Sequence, residues 1–170
     1  MQAVDEKSSD ETEMAVRMTR VIPADAAGIA EAARLLRAGG LVALPTETVY
    51  GLACDATDPR AVASLYAAKG RPSFNPLIAH VPDLAAARQV GLLTSAADTL
   101  ARHFWPGPLT LVVPALEAAT CALARAGLAS VALRVPAHPV AQAELAPTAP
   151  AMCLPPRRHM FMPISTDASI

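Results

Sequence analysis

The chain has 170 residues and a formal net charge of -1, with 53% hydrophobic, 4% aromatic and 17% charged residues, 16 prolines, 8 glycines and 3 cysteines. A chain of this length buries roughly 70% of the surface its unfolded form exposes, so one domain with an ordinary core is expected and global disorder is excluded. Mean hydropathy is +0.34, but Glu117 and Arg125 interrupt the longest apolar stretch, Ala115 to Leu133. A membrane span needs about 20 mostly apolar residues, so the sequence reads as soluble, with no membrane partner.

Charge is uneven along the chain. Residues 1–19 sum to -3, residues 20–142 to +2 and residues 143–170 to zero. A body at +2 is not a polybasic nucleic-acid binder, although a local basic cleft can still hold a phosphate. Cys54, Cys121 and Cys153 are widely spaced and form no C-x-x-C; an odd, patternless set fits buried thiols in a reducing, cytoplasmic setting. The start of the chain is acidic and lacks an apolar core, so it reads as neither a secretory nor a mitochondrial leader. Residues 1–19 read as a disordered acidic head, with Met14 and Met18 as alternative starts.

From Val21 the pattern becomes periodic. Asp25 caps a helix with Ile29, Ala32, Ala33 and Leu36 on one face and Gly39 as its stop. A strand, Leu41 to Leu44, follows. Asp58-Pro59 opens a second helix carrying Val62, Leu65 and Tyr66, closed by Gly70 after Lys69. Leu77 to Val81 reads as a strand, Asp83 to Val90 and Ser95 to Phe104 as helices, and Leu109 to Val113 and Val131 to Val135 as strands, with an Ala-rich helix from about Ala115 to Ala126 between them. Helices alternating with short apolar strands predict a layered α/β domain with ligands held in loops at strand ends. Beyond Val140 the periodicity fades into a Pro-, Arg- and Met-rich end.

The sequence contains no P-loop, dinucleotide-binding glycine motif, H-E-x-x-H or nucleophile elbow, and His80, His103, His138 and His159 lack metal-ligand spacing. Four proline-framed clusters stand out instead. Pro45-Thr46-Glu47-Thr48-Val49-Tyr50-Gly51-Leu52 offers four hydrogen-bonding side chains in five positions, either gripping a small polar ligand or forming a capped turn. In Lys69-Gly70-Arg71-Pro72-Ser73-Phe74-Asn75-Pro76-Leu77 two cations flank a glycine, as helix C-terminal charges or as groups aimed into one hollow. Pro72 and Pro76 fix where Arg71 and Asn75 project. The others are Trp105-Pro106-Gly107-Pro108-Leu109-Thr110 and Arg134-Val135-Pro136-Ala137-His138-Pro139. Arg134 lies late in an apolar strand, so it needs a carboxylate ligand or a salt bridge to Glu47 or Asp55. His80, inside a strand, is either a satisfied core histidine or a ligand contact.

Together, P-T-E-T-V-Y-G-L, K-x-R-P with N-P-L, P-G-P-x-T and R-x-P-x-H-P resemble, in order from about Val21 to Ala141, the YrdC/Sua5 family of threonylcarbamoyl-AMP synthases. The resemblance implies a twisted mixed α/β sheet around a concave, positively lined cleft. It implies synthesis of L-threonylcarbamoyladenylate from L-threonine, bicarbonate and ATP with pyrophosphate release, for adenosine 37 of tRNA. Lys69 and Arg71 become the catalytic and ATP-binding cations, with Asn75 and Thr110 beside them and Mg²⁺ carried on the nucleotide. Thr46, Tyr50, His80 and Arg134 become the L-threonine contacts, with no resident metal. Implied partners are tRNA or double-stranded RNA and a downstream threonylcarbamoyl-transferase complex. The chain is short for the longer, two-domain form and resembles the single-domain kind.

The family continues into P-S-A-N, S-G and S-P-T, whereas this chain has Ala149-Pro150-Ala151-Met152-Cys153-Leu154-Pro155-Pro156. The expected organisation is therefore a YrdC-like domain over 20–145, incomplete at its end, and a disordered non-family tail over 146–170, read as an out-of-frame or alternatively spliced end. A missing strand there would leave an uncovered sheet edge. The competing reading is an inactive or truncated nucleotide- or RNA-binding module of the same fold. The related domain of hydrogenase-maturation carbamoyltransferases is disfavoured, because that resemblance comes with zinc-binding cysteine pairs.

Overall fold

The computed structural model describes residues 19–70, 72–146, 152–154 and 162–163. The acidic head, Arg71 and the rest of the C-terminal stretch lie outside the described residues.

Local chemistry sets the helices. In α1 (Ala26–Arg37) the Asp25 carboxylate accepts from the Gly28 amide at 2.8 Å, satisfying a donor the first turn would leave orphaned. Asp58 caps α2 (Pro59–Lys69) in the same way, with Pro59 at the first position and Gly70 closing the helix in the left-handed conformation. Asp83 caps α3 (Leu84–Val90) and Thr94 caps α4 (Ser95–Phe104). These four agree with the sequence expectation. A fifth, α5 (Pro139–Leu145), does not follow from periodicity; its His138 ring accepts from the Val140 amide at 3.2 Å and Pro139 opens it.

The strands β1 (Val42–Pro45), β2 (Tyr50–Asp55), β3 (Ile78–His80), β4 (Leu111–Pro114), β5 (Ser130–Arg134), β6 (Met152–Leu154) and β7 (Met162–Pro163) form one mixed sheet in the order β1-β2-β6-β3-β5-β4-β7. β1 and β2 are an antiparallel hairpin, β3 and β5 run parallel, and β6 pairs antiparallel with both β2 and β3. Two strands thus fall within the stretch that the sequence assigns to a tail. β6 joins the two halves of the sheet at the place where the sequence reading leaves an uncovered edge.

β2 shows how the layers divide. Ala53 packs with Leu36 of α1, Leu44 of β1 and Leu145 of α5, while its neighbours Leu52 and Cys54 join the larger core with Val62 and Leu65 of α2. Successive residues of a strand face opposite sides, so α1 and α5 cover one face and α2 the other, with α3 and α4 in the larger core through Val90 and Ala101. Each fully buried Leu or Val contributes about 1.5–3 kcal/mol. Burial on both faces removes the period-two signal from β2.

The Ala-rich stretch before β5 is not a helix. It is a run of single turns in which the Ala119, Ala124, Arg125 and Ala126 amides reach back three residues, ended by Ala126 and Gly127 at φ 52° and 75°. Two long-range backbone bonds hold it: Cys121 N–H to the Ala56 carbonyl and Leu77 N–H to the Ala124 carbonyl, both 2.9 Å. A continuous helix would forfeit them.

Candidate active site

Register brings two of the candidate residues together. His80 of β3 is the register partner of Arg134 of β5, and the neighbouring pair, Ala79 and Leu133, belongs to the larger core. His80 and Arg134 therefore stand on the opposite face, in a row of register positions running Asp55, Met152, His80, Arg134.

Arg134 is 8% exposed and joins three of the four sequence clusters. Its Nη2 donates to Glu47 Oε1 at 2.7 Å and to Thr48 Oγ1 at 3.1 Å, both on the β1–β2 loop. Its Nε donates to the Gly107 carbonyl at 3.2 Å. The other Glu47 oxygen accepts from the Ala137 amide at 3.2 Å. Of the alternatives open at the sequence level, the salt bridge to Glu47 is made; Asp55 instead accepts from the amide and hydroxyl of Thr57. Burial pushes the Glu47 carboxyl up, but its bonds to Arg134 and to backbone amides outweigh that and hold it below the usual carboxylate range.

The loop carrying Gly107 is fixed from both sides. Gly107 N–H donates to the Val135 carbonyl at 2.8 Å, and the Trp105 indole donates to the Leu109 carbonyl at 2.7 Å. A Cβ at Gly107 would overlap the Phe104 carbonyl oxygen, which is backbone with no room to turn away. Gly107→Ala is expected to cost about 2 kcal/mol, read as a lowered urea midpoint. Thr110, just beyond, is buried.

His80 is 2% exposed. Its Nδ1 lies 3.1 Å from the Ile78 carbonyl, which can only accept, so Nδ1 carries the proton. Nε2 is then a bare acceptor, and it is buried with no hydrogen-bond partner among the described residues. Burial, aided by the Arg134 charge and opposed by the Ile78 bond and Glu47, pulls the ring down to about 4 from 6.5. The folded chain thus refuses a proton that the unfolded chain accepts. This contribution to stability is full above pH 6.5, falls as pH drops towards 4, and levels off below. Stability should change by about 1.4 kcal/mol per pH unit in that window, and urea unfolding of His80→Gln should show a slope shallower by about that amount.

Thr46 shapes the hairpin loop: its hydroxyl donates to the Val49 carbonyl at 2.7 Å and accepts from the Val49 amide at 3.1 Å. Tyr50 begins β2 and is 76% exposed. Lys69 ends α2 on the surface. The segment after it is anchored where Tyr66 Oη donates to the Asn75 carbonyl at 2.7 Å, and it runs directly into β3 and His80. The sequence reading passes over Thr48 and Gly107 as site residues, although both sit inside motifs it singles out.

Residues 34–153 match the family model Sua5_yciO_yrdC, described as "Telomere recombination". The chain belongs to the Sua5/YrdC family. Among its Sua5/YrdC relatives, the threonylcarbamoyl-AMP synthase of Bacillus subtilis is 49% identical over 116 residues, covering 68% of this chain and 34% of the relative. That of Pyrococcus abyssi is 48% identical over 114 residues, covering 65% and 32%. The crystal structure of P. abyssi Sua5 complexed with L-threonine superposes with a TM-score of 0.74 at 40% identity, over 81% of this chain and 39% of that one. This Sua5/YrdC chain thus spans about a third of the length of the curated relatives named here. Among the described residues no helix is long and apolar enough to cross a membrane.

Proposed function

We propose that this chain carries the chemistry of L-threonylcarbamoyladenylate synthesis: L-threonine, bicarbonate and ATP are joined and pyrophosphate leaves, supplying the group placed on adenosine 37 of tRNA. The observation that carries the reading is the convergence of three family motifs on Arg134, beside a buried histidine whose Nε2 has no hydrogen-bond partner among the described residues. The names of the relatives, and the threonine held by P. abyssi Sua5, support it.

The reaction requires a carbamate oxygen to attack the α-phosphorus. No protein nucleophile is needed; alignment of the reactants and compensation of the triphosphate charge are. Lys69 and Arg71 supply that charge, with Asn75 and Thr110 as hydrogen-bonding neighbours. At the other end Thr46 and Tyr50 contact L-threonine, Arg134 supplies positive charge for its carboxylate, and the bare His80 Nε2 accepts from its hydroxyl. Mg²⁺ enters with ATP as counter-ion to the triphosphate. The setting proposed is cytoplasmic, as a transferase of tRNA modification with RNA and a threonylcarbamoyl-transferase complex as partners.

The test is pyrophosphate release from ATP by the purified chain. Release that requires both L-threonine and bicarbonate is expected; release indifferent to either overturns the synthase reading. One observation favours a second reading, a nucleotide- or RNA-binding module that does not complete the synthesis: Ala149 to Pro156 contains no Ser-Ala-Asn. ATP binding without threonine-dependent pyrophosphate formation distinguishes it. Its RNA-bound form would weaken steeply with salt, as phosphate contacts do.

A further inference from the structure

We propose that Glu47 is a positioning residue for the amino-acid end of the site: through Arg134 it pins the β1–β2 loop so that Thr46 and Tyr50 stand in fixed register with His80. The inference rests on the assignment of L-threonine to this end of the sheet and adds a residue that the motif resemblance leaves without a role.

The geometry is specific to Glu47. Its carboxylate spans two separate elements, with Oε1 on the Arg134 guanidinium at 2.7 Å and Oε2 on the Ala137 amide at 3.2 Å, just before α5. Thr48, one residue on, adds a second bond to the same Nη2 at 3.1 Å. Arg134 is itself held by the Gly107 carbonyl, so the loop is tied to a guanidinium that cannot follow it outward. Within the loop the Thr46 hydroxyl and backbone close a turn on Val49; that turn fixes the loop's shape, not its place over the sheet. The tie to Arg134 supplies the place. Among the described residues β1 and β2 reach the rest of the sheet along the backbone of β6, through Cys54 and Asp55 at the end of β2 remote from the loop. Without Glu47 the loop would lose its bearing on His80, and its turn, no longer braced against Arg134, would open more readily. The salt bridge is also charge-assisted and short, roughly twice as strong as a neutral hydrogen bond, and Arg134 loses little entropy in making it because its fork is already immobilised.

The test compares the unaltered chain with Glu47→Ala and Glu47→Gln by three readouts. In amide hydrogen exchange, Glu47→Ala is expected to speed exchange at least tenfold at Thr48 and Val49 while leaving α2 and β3 unchanged. By calorimetry, L-threonine affinity is expected to fall at least tenfold and ATP affinity by less than twofold. Glu47→Gln, which keeps the acceptor oxygen but not the charge, should recover part of both losses. Unchanged exchange in the loop overturns the proposal, as does a parallel loss of ATP and L-threonine affinity. Faster loop exchange in a protein that, unaltered, binds no L-threonine keeps the pin and removes the functional reading above, so the two fail separately.

Discussion

Arg134→Met should lower the unfolding free energy by about 2–3 kcal/mol, somewhat less than the 3–5 kcal/mol for breaking a fully buried pair, because the Glu47 side chain keeps 23% of its surface in contact with solvent. Methionine preserves much of the volume, so the loss comes from leaving the Glu47 carboxylate and the Gly107 carbonyl without their charged donor. The double variant Arg134→Met with Glu47→Met should recover much of this, since removing both charges removes the uncompensated one. Urea unfolding of the wild type, the two single variants and the double variant forms the cycle, with Arg134 and Glu47 expected to couple strongly. Additive single losses would mean that the pair is not an energetic unit. The exposed pairs Arg34–Glu31 and Arg102–Asp98 are the contrast: both are solvent-screened, and their removal should leave the midpoint nearly unmoved.

Lys69→Ala should lower threonine-dependent pyrophosphate release by about 10²–10³-fold, the cost typical of removing one group that stabilises developing charge in a reacting centre. Its stability should change by no more than a few tenths of a kcal/mol, because Lys69 is exposed at the C-terminus of α2 and contributes there only through the helix dipole. That separation makes the variant informative: lost activity in a chain with an unaltered urea midpoint places Lys69 on the triphosphate. A rate within threefold of the unaltered chain refutes the assignment.

The parts of the fold legible in the sequence are those whose cause is local. Asp25, Asp58 and Asp83 each announce a helix that the structure contains, because a cap needs only its own next three residues. β3 and β5 announce themselves as short apolar runs. β2 does not: after the exposed Tyr50 it buries Gly51, Ala53 and Cys54 on both faces with Leu52 as its one large aliphatic residue, so it reads as the end of a loop. α5 is only seven residues long, too short for a periodicity to register, though His138-Pro139 is a start signal in plain view. The Ala-rich stretch misleads in the opposite direction. Its intrinsic helix propensity loses to long-range bonds with Ala56 and Leu77, which no local window contains.

The candidate site divides in the same way. Proline-framed clusters identify which segments meet, since each is a loop that follows an element marked by its own residues. That Arg134 already has a carboxylate is decided by 87 residues of intervening chain; the sequence holds the partner among alternatives and cannot choose. That His80 Nε2 has no hydrogen-bond partner among the described residues is invisible for a related reason: whether a strand histidine is satisfied depends on what stands across the face it occupies.

The sheet order also bears on how the molecule comes apart. The hairpin of β1 and β2, with α1 and α5, has its own small core of Leu36, Leu44, Ala53 and Leu145. It is joined to the larger core by the three-residue β6, by Leu52 and Cys54 on the reverse of β2, and by the Glu47–Arg134 tie. Such a body is expected to open as a cooperative sub-unit at a free energy below that of global unfolding. The amino-acid end proposed for the site would lie across that seam, with Thr46 and Tyr50 on the hairpin and His80 and Arg134 on the larger body. A small ligand bridging the two would therefore raise the stability of the weaker piece before it affected the stronger, and the order of unfolding would itself report occupancy.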